Sequence, residues 1–217
     1  VGRILQMAEE LFGFSEDIEI SLEANPGTVD AENLSGFHAA GVNRMSIGVQ
    51  ALCDKNLHLL GRPHSATEAE TAIRLARQAG FSNLSCDLMF ALPGQSIGQL
   101  KDDLERILAH NPEHLAIYGL TFEEGTPFFD QLQAGQLQEP EEEIYVNAYR
   151  LLHEMVTGAG YRHYEISNFA QPSFTCRHNL RYWRRQANLA IGAGAHSFRT
   201  DGWGERWAVP DELNLYQ

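Results

Sequence analysis

The chain has 217 residues, of which 43% are hydrophobic and 21% charged, a composition that excludes an extended disordered chain. The formal net charge of −13 gives a surface that repels phosphate backbones, which argues against a general nucleic-acid binder. No apolar run approaches the roughly 18 residues that span a bilayer. Three cysteines, far apart in sequence, are typical of a reducing compartment, so we expect a cytoplasmic protein.

The first 122 residues predict helices that alternate with short buried strands. An amphipathic helix at residues 4–12 starts without a cap, so we expect the chain to be an internal piece of a longer protein. The predicted strands are residues 18–24, 45–49, 84–90 and 114–120. Between them, helices are predicted from Thr28 or Asp30 to Ala40, from Thr67 to Ala79, and over 97–109. This alternation indicates right-handed βαβ units around a parallel sheet.

Four such units fit either an open doubly wound sheet or part of a (β/α) barrel. No Gly-x-Gly-x-x-Gly follows the first strand, so the dinucleotide fingerprint is missing. Glu23, Gln50 and Asp87 stand where strands are predicted to end, with Thr121 at the fourth. In a barrel these ends share the face on which active sites form, whereas the alternative is that each makes hydrogen bonds within its own loop. We therefore predict an α/β fold, an incomplete parallel (β/α) barrel.

The pattern changes after residue 122. A long excursion at 122–140 precedes a strongly periodic helix at 141–159, and the remaining residues are irregular and rich in aromatic side chains. We predict a partial barrel at 1–122. Residues 123–217 are predicted to continue the barrel and to include the truncated start of a C-terminal region.

Four polar residues of the first part suit one kind of ligand. The side chains of Glu23, Gln50 and Asp87 can bind ribose hydroxyls or an ammonium group, and Arg62 can hold a carboxylate with two hydrogen bonds. Together they favour a zwitterionic ligand that carries a sugar. The alternative is that Glu23 and Asp87 are the acid and base of a glycoside hydrolase.

Two histidines of the last part are weaker candidates. Cys176 and His178 have the spacing of a metal-ligand pair, but no second pair accompanies them. The alternative is a capped helix start on which Tyr182 and Trp183 pack. His196 lies in a run of small residues, where it either approaches a ligand closely or is a structural histidine.

The motifs, taken together, resemble a known family. Five segments in order are similar to the oxygen-independent coproporphyrinogen III oxidase-like radical SAM proteins: Glu23-Ala-Asn-Pro-Gly-Thr28, Asn43-Arg-Met-Ser-Ile-Gly-Val-Gln50, Leu60-Gly-Arg62, Asp87-Leu-Met and Leu92-Pro-Gly. Two later segments look like the haem chaperone branch, HemW: Cys176-Arg-His178-Asn179-Leu-Arg-Tyr182-Trp183 and Gly192-Ala-Gly-Ala-His196-Ser. The resemblance covers residues 1 to about 200, and the ordered combination of motifs is highly specific.

The resemblance implies a set of ligand contacts. By position, Glu23 would contact the amino group of S-adenosylmethionine and Arg62 its carboxylate, while Gln50 and Asp87 would hold the ribose hydroxyls. Three further residues would line the same site, with the first two beside the adenine: Met89, Thr121 and His196. The resemblance also associates the His178, Tyr182 and Trp183 segment with haem, with the histidine as candidate iron ligand.

One departure from the family is large. Its Cys-x-x-x-Cys-x-x-Cys loop, which binds a [4Fe-4S] cluster, is absent, and the three cysteines present have no comparable spacing. We therefore expect the cluster ligands to lie outside this chain, with no metal ligands for the cluster within it.

The resemblance implies a haem chaperone that binds haem and delivers it to client proteins. Weak membrane association would come only through those clients. One alternative is an oxygen-independent coproporphyrinogen III oxidase, which decarboxylates by a 5′-deoxyadenosyl radical. Another is a hydrolytic barrel that uses Glu23 and Asp87. Whether the protein is an enzyme stays open at this point.

Overall fold

The computed structural model describes residues 1–216, and the chain forms two units, Val1–Phe174 and Thr175–Gln217. The boundary that the sequence suggested after residue 122 falls inside the first unit. The helices of the first unit are α1 (Gly2–Phe12), α2 (Ala31–Ala39), α3 (Asp54–Leu59), α4 (Ala66–Gln78), α5 (Ile97–Ala109), α6 (Pro127–Gln133) and α7 (Glu142–Gly158). Its strands are β1 (Ser21–Ala24), β2 (Arg44–Gln50), β3 (Leu84–Phe90), β4 (His114–Gly119), β5 (Arg162–His163) and β6 (Asn168–Ala170).

The six strands form one open sheet in the order β1-β2-β3-β4-β6-β5. The first four are parallel, as the alternation of strands and helices predicted, while β6 pairs antiparallel with β4 and β5 antiparallel with β6. The α/β class and the parallel sheet are therefore confirmed. The antiparallel pair was not predicted, because strands of two and three residues carry no measurable periodicity.

Capping boxes fix where the helices of the βαβ units begin. The side chains of Asp30, Ser65 and Ser96 each accept a hydrogen bond from the backbone N–H of the residue three positions on. The side chain of that residue in turn accepts a hydrogen bond from the backbone N–H of the capping residue. The prediction that Thr67 begins α4 is wrong, because Ser65 pairs with Glu68 in this way and the helix starts at Ala66. Helix α2 begins after Asp30, one of the two capping residues, Thr28 or Asp30, that the sequence predicted.

The parallel sheet has one apolar face and one polar face. On β2, Met45, Ile47 and Val49 are fully buried in the cluster that includes the apolar sides of α4 and α5. The alternate residues of the same strand include Arg44 and Ser46, on the other face. Parallel sheets that are covered on both sides have two apolar faces, so the polar face is the candidate side for a functional site.

The second unit contains α8 (Arg177–Trp183), β7 (His196–Arg199), β8 (Glu205–Ala208) and α9 (Leu213–Tyr216). Strands β7 and β8 pair antiparallel, and Asn188 bridges to Phe198 beside them. None of the helices described in residues 1–216 is both long and apolar enough to cross a membrane.

We expect Leu104→Ala to destabilise the first unit by about 2–5 kcal/mol, because Leu104 is fully buried between α5 and the sheet and its loss leaves a cavity. Urea unfolding followed by circular dichroism measures this change. Lys101→Ala on the exposed side of the same helix is the control and should change the free energy of unfolding by less than about 0.5 kcal/mol. Equal effects of the two substitutions would contradict the placement of α5.

Candidate functional site

Strand register brings the polar residues of the sheet together. Glu23 on β1 lies opposite Ser46 on β2, and Ser46 lies opposite Ser85 on β3. Residues in register in a parallel sheet point to the same face, and Asp87, two residues after Ser85, shares that face. The structure therefore places Glu23 and Asp87 on one face, as the sequence predicted for a common site.

Asp87 is the most constrained residue of this group. It was predicted to end its strand, but it is the fourth of the seven residues of β3. Its Oδ1 accepts hydrogen bonds from the hydroxyls of Ser46, at 3.0 Å, and Ser85, at 3.4 Å. Burial raises the pKa of Asp87 to about 6, the Ser46 hydrogen bond opposes this, and the negative charge of Glu23 raises it further.

A second group gathers where β2 ends, around Gly48. Gln50 is the last residue of β2 and has a φ of +67°. A Cβ atom at Gly48 would lie 3.0 Å from the Gln50 amide nitrogen and 3.3 Å from Asn25 Oδ1. Asn25 in turn accepts a 3.5 Å hydrogen bond from Arg62 Nη1. Gln50 and Asn25, the partner of Arg62, thus both lie close to Gly48, and glycine at this position leaves the room that they need.

The remaining cofactor candidates lie in different places. Met89 is half-buried two residues after Asp87 and stands opposite Tyr118 on β4. Thr121 is exposed and follows β4 by two residues. His196 is exposed and is the first residue of β7 in the second unit.

The haem candidates all lie on α8 of the second unit. His178 is its second residue, and its ring meets that of Tyr182, one turn later, edge-on with centroids 4.8 Å apart. Tyr182 is 42% exposed and Trp183 59% exposed. Tyr182 therefore packs against the start of α8, as one of the two interpretations of the sequence expected, while both aromatic side chains keep a large exposed fraction.

Metal ligation is not supported within the described residues. Across residues 1–216, no three His, Cys, Asp or Glu side chains converge as metal ligands. The side chains present here therefore do not fit a [4Fe-4S] cluster.

Sequence reasoning missed Ser46, Ser85 and Asn25. A signal for the first was present: Arg44, Ser46 and Gln50 fall on alternate positions of a strand whose other residues are apolar. The contact of Asn25 with Arg62 joins residues 37 positions apart, and nothing in the local pattern predicts it.

The fold matches a defined class of protein. The radical SAM superfamily pattern matches residues 2–107. The solved structure of coproporphyrinogen III oxidase (HemN) from Escherichia coli matches 90% of this chain and 48% of that one, with a TM-score of 0.74 and 24% identity. Residues 2–107 thus match the radical SAM superfamily, and the predicted fold of that type is confirmed.

The chain is also similar to proteins of one branch. It is 40% identical over 205 residues to heme chaperone HemW of Haemophilus influenzae, which covers 94% of this chain and 52% of that protein. It is 41% identical over 180 residues to heme chaperone HemW of Escherichia coli, with 83% and 47% covered. The chain thus spans about half the length of the curated relatives it matches.

We expect Asp87→Asn to flatten the pH dependence of stability between about pH 4 and 6. The pKa of this carboxyl is raised from 3.8 to about 6, so the folded state holds the proton more tightly than the unfolded state does. The stabilisation that the bound proton gives is complete below pH 4 and is lost as pH rises to 6. At pH 7 the free energy of unfolding of the Asn variant should therefore exceed that of the parent protein by on the order of 2–3 kcal/mol.

Urea unfolding at several pH values measures the effect. Asp103, whose pKa is also raised to about 6, and His114, whose pKa is lowered to about 3, both remain in the variant. Their effects on the slope oppose each other in this pH range, so the quantity that reports on Asp87 is the difference in slope between the variant and the parent protein. Asp130→Asn, at an exposed position of α6, is the control. An unchanged slope in Asp87→Asn would show that this carboxyl is not held in a low-dielectric position.

Proposed function

We propose that this chain is the S-adenosylmethionine-contacting part of a haem chaperone of the HemW type. The observation that carries the proposal is the 37–41% identity to four bacterial proteins that bear that name, over at least 83% of the chain. The arrangement of the polar sheet face supports it independently.

The first unit has the groups that a zwitterionic nucleoside needs. Asp87 and Gln50 offer an acceptor and an amide to ribose hydroxyls, and Glu23 offers a carboxylate to the ammonium group. Arg62 offers a guanidinium to the amino-acid carboxylate, already directed by Asn25. Met89 and Thr121 would lie beside the adenine, and His196 of the second unit stays a predicted cofactor contact.

The second unit would bind haem through α8. A neutral imidazole is a good iron ligand, so His178 is proposed as the residue that would hold the haem iron. The flat, open rings of Tyr182 and Trp183 would cover part of the porphyrin.

The intact protein is proposed to act in the cytoplasm, where it would pass haem to haem-requiring client proteins. The alternative is an oxygen-independent coproporphyrinogen III oxidase, because the solved structure of a coproporphyrinogen III oxidase has the same fold. A porphyrinogen decarboxylation assay separates the two, because only the oxidase releases carbon dioxide from the substrate.

In the intact protein, we expect His178→Ala to weaken haem binding by more than about tenfold and to leave S-adenosylmethionine binding nearly unchanged. Arg62→Ala should do the reverse, with cofactor binding about 10- to 100-fold weaker, because a charge-assisted hydrogen bond is lost. Haem titration followed at the Soret band and calorimetry with S-adenosylmethionine measure the two affinities.

His58→Ala, which removes another exposed histidine, is the control for haem binding, and a melting curve for each variant tests for a purely structural role. A Soret band and a haem affinity that His178→Ala leaves as in the parent would end the proposal for that ligand.

We expect the 217-residue chain to hold no [4Fe-4S] cluster after anaerobic reconstitution, because its described residues provide no ligand set for one. Iron and sulfide analysis after desalting measures this. Stoichiometric iron and sulfide, with charge-transfer absorption that persists, would contradict the expectation.

A further inference from the structure

A chain of hydrogen bonds crosses the polar face of the sheet and ends on Asp87. The Tyr164 hydroxyl lies 2.8 Å from His114 Nε2, and His114 Nδ1 lies 2.8 Å from Ser85 Oγ. Ser85 Oγ lies 3.4 Å from Asp87 Oδ1, which also accepts the 3.0 Å bond from Ser46. This series of hydrogen bonds links β2, β3, β4 and the segment before β6 through side chains alone.

The middle of this chain is closed to solvent. Ser85 and His114 are each 1% exposed, so neither can exchange a missing partner for water. Burial, with a smaller effect from the charge of Arg44, lowers the pKa of His114 to about 3. The imidazole is therefore neutral near pH 7, with one nitrogen that donates and one that accepts.

The carboxylate fixes the direction of every bond in the chain. An ionised Asp87 only accepts, so the single hydroxyl proton of Ser85 must point to it. Ser85 Oγ then accepts from His114, which places the imidazole proton on Nδ1. His114 Nε2 is left to accept from the Tyr164 hydroxyl. In the opposite tautomer Ser85 would donate to the ring, and its lone pairs would face the carboxylate.

We infer that Ser85, His114 and Tyr164 form a positioning relay that directs a donated hydrogen bond onto Asp87, and so holds this carboxylate ionised and oriented for a ribose hydroxyl. The inference rests on the proposed function for the identity of the ligand. None of the three residues is expected to touch the ligand itself.

The geometry of Asp87 agrees with this role. Both serine hydroxyls bond Oδ1, and among the described residues Oδ2 accepts no hydrogen bond, so the second oxygen is left for a ligand. The charged groups near the carboxyl are Glu23 on β1 and Arg44 on β2, whose effects on its pKa oppose each other. The serine hydroxyls and the neutral His114 complete its polar surroundings, so loss of the relay should change the pKa of Asp87 directly.

The test is the pH dependence of S-adenosylmethionine binding in Ser85→Ala and in Tyr164→Phe, each compared with the parent protein at the same pH. Loss of a donor favours the protonated carboxyl, so the pKa of Asp87 should rise in both, and more in Ser85→Ala. A rise of one in that pKa weakens binding about fivefold at pH 6 and leaves it almost unchanged at pH 8.

Tyr161→Phe is the matched control, because Tyr161 is a buried tyrosine whose hydroxyl bonds the Pro112 carbonyl and takes no part in the relay. A loss that is equal at pH 6 and pH 8 would indicate a merely structural role and would overturn the inference. An unchanged affinity at both pH values in Ser85→Ala would also overturn it.

Titration of the Asp87 carboxyl by ¹³C NMR, without ligand, separates the relay from the proposed function. A higher pKa of Asp87 in Ser85→Ala, with the His114 proton on Nδ1 in the parent protein by ¹⁵N NMR, supports the relay even if S-adenosylmethionine does not bind. A His114 proton on Nε2 in the parent protein would refute the relay whatever the cofactor result.

Discussion

A carboxylate in the middle of a parallel strand loses most of its hydration, and the neighbouring strands must replace what it loses. Asp87 is in this position on β3, and its pKa of about 6 shows that the replacement is incomplete. Ser46 on β2 and Ser85 on β3 supply the donors that the sheet can offer. The polar face depends on this arrangement, because an apolar residue at either position would remove one of the two hydroxyl donors to the carboxylate. Stability is thus given up at a position that the proposed ligand site uses.

The opposite face of the sheet makes this cost tolerable. Met45, Ile47 and Leu88 are almost completely buried against the helices, so each strand of the centre contributes to one continuous core. The same strands hold Ser46 and Asp87 on the other face, at alternate positions. Because the side-chain period of a strand is two, a slip of one residue would move both polar groups into the core. The site and the core therefore specify the same register.

The sequence was sufficient to predict those strands and helices whose signal is local. Strand β3 at residues 84–90 and helix α5 at 97–109 were predicted to the residue, since a buried apolar run and a helical period bounded by turn residues are continuous patterns. The six-residue helix α3 is too short to show a period, and it was missed. Placing Glu23 and Asp87 on one face needed only the alternation of strands and helices, whereas their grouping with Gln50 and Arg62 stays a prediction. The contacts among Ser85, His114 and Tyr164 needed the register of two strands and a later segment, which no window of sequence contains.

Charge separates the two units in a way that fits their proposed ligands. Residues 1–174 contain 10 Lys and Arg against 25 Asp and Glu, whereas residues 175–217 contain six Arg against four Asp and Glu. S-adenosylmethionine carries a sulfonium and an ammonium against one carboxylate, so an acidic unit attracts it as a whole and repels only its carboxylate. Under the proposed function, the cofactor's carboxylate therefore needs a guanidinium in the first unit, and Arg62, which bonds Asn25, would supply it. Haem carries two propionates, and the basic unit with α8 suits an anionic ligand. The same net charge of −13 thus conceals two surfaces of opposite sign.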